Sequence, residues 1–183
     1  MAGNPDNVKL YTEADVLLWM GSAAPTTADL PATITDPFAT TTGKWAFLGL
    51  LVGDAGIDTQ REWDEKDIPA WGYGTIIVAS KDFKLTRKVS ALEDNPAMQR
   101  ILWNGSTETE IVVPNPLYEY VAFEKRTASG EIRREISKRP ARFWTPNIKD
   151  AEGDATPPTP REIECRIFPD SARKLFAAQQ TAA

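Results

Sequence analysis

The chain contains no histidine. That absence removes Ser-His and Cys-His nucleophilic catalysis, imidazole general-base chemistry and most catalytic zinc sites. Carboxylate chemistry stays open, because aspartate and glutamate together number 26. Only one cysteine is present, Cys165, so no intrachain disulfide can form. Its setting, Ile163 to Phe168, reads as a strand in which the thiol packs as a small buried hydrophobe. No apolar run is long enough to cross a bilayer; the longest, Trp45 to Val52, is interrupted by Gly49. The opening Met-Ala-Gly-Asn-Pro-Asp has neither the basic region nor the apolar core of an export signal, so no secretory export is expected. Gly72-Tyr73-Gly74 lacks the third glycine and the following helix of a phosphate loop. The acidic stretch Asp150 to Asp154 lacks the ligand spacing and closing glutamate of an EF-hand and reads as a turn. No cofactor and no metal are expected.

What is present is the composition of one β-rich domain. A chain of 183 residues fits a single core. Hydrophobic residues at 42% and charged residues at 26% match ordinary globular values, which argues against a disordered body. The 14 prolines and 11 glycines fall between short apolar runs, the punctuation of strands and turns.

Charge is uneven along the chain. Residues 1–60 hold two lysines against seven carboxylates, a net of −5. Residues 125–142 hold seven basic side chains against Glu131 and Glu135, a net of +5. Opposed blocks suit head-to-tail self-association, with Arg133 and Arg134 as candidate rim contacts; two solvated faces are the plainer reading. The basic stretch is interleaved with glutamate on an acidic chain, so tight nucleic-acid binding is not expected.

Hydrophobic periodicity predicts a strand from Val8 to Met20 and an extended, irregular connection over 21–42. Trp45 to Val52 reads as a central strand buried on both faces. Ile57 to Trp63 returns, and the densely charged Glu62 to Lys66 reads as a hairpin tip. Thr75 to Ala79 and Asp82 to Leu92 follow, with Phe83, Leu85, Val89 and Ala91 on one face. Asn95 caps a short helix with Pro96 in its first position and an apolar stripe of Ala97, Met98, Ile101 and Leu102. Further strands are expected at 108–113, 117–127, 131–138, 141–148 and 162–168, the third and second joined around Ala128-Ser129-Gly130. Residues 169–183 read as a C-terminal tail, loose or briefly helical under a Ser171 cap. The fold class is therefore mainly β: a sandwich or barrel with one flanking helix and extended arms.

Six tryptophans are many for this length. Trp45 and Trp103 sit in apolar patterns and read as core. Trp63 and Trp71 flank the charged stretch and read equally as interface anchors or local packing.

The stretch 44–105 carries a resemblance. Leu50-Leu-Val-Gly-Asp-Ala-Gly-Ile57, Asp67-Ile-Pro-Ala-Trp-Gly72, and Leu92-Glu-Asp-Asn95 before the short helix are similar to the major tail tube protein of long-tailed (siphovirus-type) bacteriophages. Beyond 44–105 the similarity is one of topology only. The resemblance implies a structural virion protein that is not an enzyme. Its subunits would form rings, hexameric in the family, that stack into the tube through which DNA leaves the capsid. It implies an inter-ring loop at 57–71, placing Arg61, Glu62, Trp63, Asp64, Glu65, Lys66, Asp67 and Trp71 at subunit contacts. It also implies bridging arms at both termini. The partners would be other copies, a tape measure protein inside the tube, a tail terminator, and baseplate or distal tail proteins. DNA would pass without specific binding, and the site of assembly would be the host cytoplasm. Two alternatives stand beside it within β architecture: the inner tube of a contractile injection machine, and a carbohydrate-binding sandwich supported by the tryptophans. A carboxylate enzyme would have to use a pair such as Glu108 and Glu110, which on a strand is more simply a solvated face.

Overall fold

Apolar side chains give the strands of the body a face to bury, and two sheets meet across it. The computed structural model describes residues 8–38, 44–148 and 159–181. The strands are β1 (Tyr11–Trp19), β2 (Trp45–Phe47), β3 (Ile57–Ala70), β4 (Gly74–Ala91), β5 (Leu117–Glu119), β6 (Val121–Thr127), β7 (Ile132–Ser137), β8 (Ala141–Trp144), β9 (Arg161–Ile167) and β10 (Phe176–Gln180). One sheet runs β10-β7-β6-β1-β2 and the other β3-β4-β9-β8-β5, with every pairing antiparallel. The arrangement is sandwich-like. Val16, Leu18, Val121 and Phe123 of the first sheet meet Leu85, Val89, Phe143, Ile163 and Cys165 of the second. Burial pushes the Cys165 thiol far up, so it stays protonated and packs as a hydrophobe.

The one α-helix, α1 (Pro96–Leu102), forms as its sequence signals demand. The Asn95 side chain accepts the Met98 N–H at 3.0 Å, and Pro96 occupies the first turn, where no N–H is needed. Ala97, Met98, Ile101 and Leu102 are all buried in the shared core.

Several expectations are corrected. Trp45 to Val52 is not a central strand: β2 is three residues long at a sheet edge, and Leu50 is 68% exposed. Gly49 interrupts it at φ +89°, where an added Cβ would meet the Glu93 side chain at 2.5 Å. The first strand starts at Tyr11, leaving Val8 and Leu10 exposed. No strand forms at 108–113, because Thr107 and Glu110 close a local turn. The stretch 117–127 splits into β5 and β6, which belong to different sheets. The tail is not helical at 172–180. The Asp170 carboxylate accepts the N–H groups of Ala172 and Lys174 at 2.9 and 2.8 Å, which turns the chain into β10 on the edge beside β7. The acidic stretch at 150–154 lies outside the described residues.

The connection after β1 is ordered by its own subunit. Residues 21–38 lie as a strap across the outer face of the first sheet. Leu30 and Phe38 pack on Leu17, Trp19, Trp45, Ala122 and Ile136. The indole N–H groups of Trp19 and Trp45 donate to Ala23 and Asp29 carbonyls at 2.6 and 2.9 Å. Asp29 accepts from Lys44 and from the Thr26 amide and hydroxyl, which holds its carboxyl down at about 2.

The longest hairpin leaves the body. β9 pairs with β4 only as far as Leu85, opposite Arg61, and beyond that point β3 and β4 pair with each other alone. The free ribbon from Glu62 to Ala70 spans about 27–30 Å at the usual strand rise. Where it departs, β4 carries one extra residue, and Asp82 takes φ +56° in the resulting bulge. A side chain branched at Cβ is disfavoured there by about 1–2 kcal/mol. Asp82→Val is therefore expected to lower hydrogen-exchange protection of the ribbon amides, whereas Asp82→Gly keeps or raises it. Equal protection in the two variants would show that the bulge is not what shapes the ribbon.

Candidate functional site

The residues singled out at 61–67 lie within a strand, not at a tip. Glu62 sits opposite Lys84, Asp64 opposite Lys81, Glu65 opposite Ser80 and Asp67 opposite Val78. Their density of charge has a physical reason. β3 is an edge strand of a ribbon wetted on both faces, so no apolar alternation is required, and charges with Pro69 guard an edge that would otherwise recruit other strands. Trp63 covers Phe83 at a ring separation of 5.0 Å beside the bulge.

The true tip is Trp71-Gly72-Tyr73. Gly72 and Gly74 take φ +82° and +75°, and the Tyr73 N–H bonds the Ala70 carbonyl at 3.1 Å. These two glycines make the turn that the phosphate-loop comparison had only excluded from another role. Trp71 is fully exposed and Tyr73 is 87% exposed, with Ile68, Ile76, Ile77 and Val78 exposed just behind them. Sequence reasoning named Trp71, included Ile68 in the 57–71 stretch, and missed the other four. The signal was available in Gly-Tyr-Gly between two β-prone runs.

At the base of the same hairpin a groove of about 950 Å³ opens between β1 and the 47–57 segment. Its apolar lining includes Tyr11, Phe47, Leu50, Leu51 and Ile57, and the charged side chains of Glu13, Asp15, Glu93, Lys125 and Arg126 line it too.

Arg133 and Arg134 are not brought to the arm. Arg133 is exposed and pairs with Glu135 at 2.8 Å. Arg134 is buried at 2% exposure under the strap, so it is not a rim charge. It donates to Glu124, to Gln179 and to the Thr33 and Asp36 carbonyls. The two stretches touch each other within the chain at a few side chains. Lys9 bonds Glu131 at 2.5 Å, and Arg126 reaches Glu13 at 3.2 Å and Asp15 at 3.1 Å. Burial raises Asp15 despite the pull of Arg126.

Arg87 is the residue that the alternation of β4 concealed. It lies on the inner face between Leu85 and Val89, stacked against Phe123 and Phe176 at 4.3 and 4.5 Å and bonded to Glu135. Burial pushes the Glu135 carboxyl up, but Arg87 and Arg133 outweigh it and hold the group below its ordinary range. Glu108 and Glu110 are both exposed on the irregular segment before β5. Among the described residues no group of three or more His, Cys, Asp or Glu is placed to hold a metal ion, and no helix is long and apolar enough to cross a membrane. No known protein-family model matches the chain, and no curated protein matches it either.

Proposed function

We propose that the chain is a structural subunit that polymerises through its hairpin arm into stacked rings, forming a tube of the kind found in long-tailed phage virions. The observation that carries this reading is the free ribbon with an apolar tip. A two-stranded ribbon alone is at best marginally stable in water. One that ends in six exposed large apolar side chains gains stability once another surface covers them. A donor surface at the tip and an acceptor elsewhere make a head-to-tail contact, which grows rings or filaments and not two-fold dimers. In that role DNA passes through the assembled tube, and the chain meets a tape measure protein within it and terminator and baseplate proteins at its ends.

Because Arg126, Arg133 and Arg134 already have partners within the chain, apolar contact drives assembly in this reading and charge is secondary. Negative-stain electron microscopy and sedimentation of the concentrated protein test it. Rings or tubes are expected, and growth is expected to persist at 1 M salt, where screening shortens to about 3 Å. Monomer alone at high concentration, both by itself and with a tail-initiating complex, would overturn the reading. Assembly lost at 1 M salt would restore charge as the driving term.

A further inference from the structure

Two of the exposed apolar surfaces among the described residues sit at opposite ends of one hairpin. Trp71, Tyr73, Ile68 and Ile77 crown the tip. Leu50, Phe47 and Tyr11, at 68%, 45% and 43% exposure, face the groove at the base. Ile57, the first residue of β3, is part of that groove. From Ile57 to Ala70 the strand extends about 43 Å at 3.3 Å per residue. The tip cannot fold back into its own groove without breaking the register that runs from Ile57 opposite Val89 to Ala70 opposite Gly74.

We propose that the groove at the base of the arm is the acceptor for the arm tip of a second copy. This rests on the reading of the chain as a self-assembling subunit and adds where the arm lands. The sizes agree. Two aromatic side chains bury roughly 300–500 Å² between them. The aliphatic residues behind them carry the total towards the roughly 800 Å² per partner of a standard interface. The polar rim agrees as well. Charged side chains of both signs, Glu13, Asp15, Glu93, Lys125 and Arg126, border the apolar lining, as Asp67 and Lys66 stand behind the apolar tip. Gly53, an exposed turn residue at the groove, leaves room for a side chain: an added Cβ meets no atom within 4 Å. Each copy gives one tip and offers one groove, so the contact propagates without closing on a two-fold axis.

Site-directed cross-linking of the full chain tests the assignment. Thr75→Cys marks the tip and Gly53→Cys marks the groove. The native Cys165 is buried and protonated, so it stays silent. Glu108→Cys, on the exposed segment before β5, marks a surface outside the groove. Single variants are mixed, assembled and treated with a short bismaleimide. The tip–groove pair is expected to cross-link at least about tenfold faster than the tip–Glu108 pair, because contact raises the effective concentration towards millimolar. Polymers that form while the tip joins Glu108→Cys, or neither position, would overturn the acceptor assignment and leave self-assembly standing. No polymer and no cross-link in any mixture, with wild-type protein also monomeric, would overturn both.

Discussion

Replacing residues 65–80 by an Asn-Gly turn is expected to give a folded monomer that no longer polymerises. Asp64 and Lys81 are directly opposite in the register, so a two-residue turn can close the shortened hairpin there. The Trp63–Phe83 contact and the Asp82 bulge are kept. No residue in 65–80 is buried, so the melting transition should move little. What disappears is the whole apolar tip. The narrower variant, Trp71→Ala with Tyr73→Ala, should act in the same direction. A buried aromatic anchor is worth about 2–4 kcal/mol at an interface. A loss of that size weakens a contact by roughly 30- to 1,000-fold. Removing 61–67 alone would be a poorer experiment. It cuts one strand of a pair and strips Leu85 and Lys84 of their partners. Sedimentation of the shortened chain as normal polymer would end the case for the arm.

The elements that could be read from sequence are those whose signals are local. Asn95-Pro96 and the stripe of Ala97, Met98, Ile101 and Leu102 specify α1 without help from the rest of the chain. The β6–β7 hairpin around Ala128-Ser129-Gly130 is equally self-contained, with the Gly130 N–H bonded to the Thr127 carbonyl at 2.9 Å. What escaped depends on distant partners. β10 has no strand period of its own and exists because β7 offers an edge at Arg133–Ser137. Charge density at 62–66 reads as a loop or hairpin tip, but in β3 an exposed ribbon tolerates charge at every position. The apolar run 45–52 looked central because both faces are greasy, yet Phe47 and Leu50 face solvent beside the groove. Periodicity alone cannot tell such exposed apolar surface from a core.

Arg134→Ala is expected to cost about 3–5 kcal/mol of folding stability, because it breaks a buried charge pair from one side. The neighbouring Arg133→Ala should cost less than about 1 kcal/mol, since its ion pair is half in solvent. Arg134 ties the strap to the sheet, with every part of its fork bonded to one or the other. Nε donates to Glu124 Oε2 at 2.7 Å, Nη1 to Gln179 Oε1 at 2.9 Å, and Nη2 to the Asp36 carbonyl at 3.0 Å. Its plane lies 4.7 Å from the Phe38 ring, and Gln179 in turn donates to the Pro31 carbonyl at 2.9 Å. Truncation leaves Glu124, at 4% exposure, with only the half-exposed Arg126 as a cation partner, and loosens the strap over Trp45. Arg134→Lys should recover little, because an ammonium on a flexible stem cannot replace a planar fork with several fixed acceptors. A domain of this kind has about 5–15 kcal/mol in total, so the loss approaches the unfolding threshold. Reversing Arg134 to Glu would place two carboxylates together under the strap and report on folding, with nothing to say about contacts between rings. Urea unfolding of the three single variants decides the matter. A midpoint for Arg134→Ala that matches Arg133→Ala would show that the strap is held by its apolar contacts alone, with Phe38, Leu30 and Trp45 as its anchor.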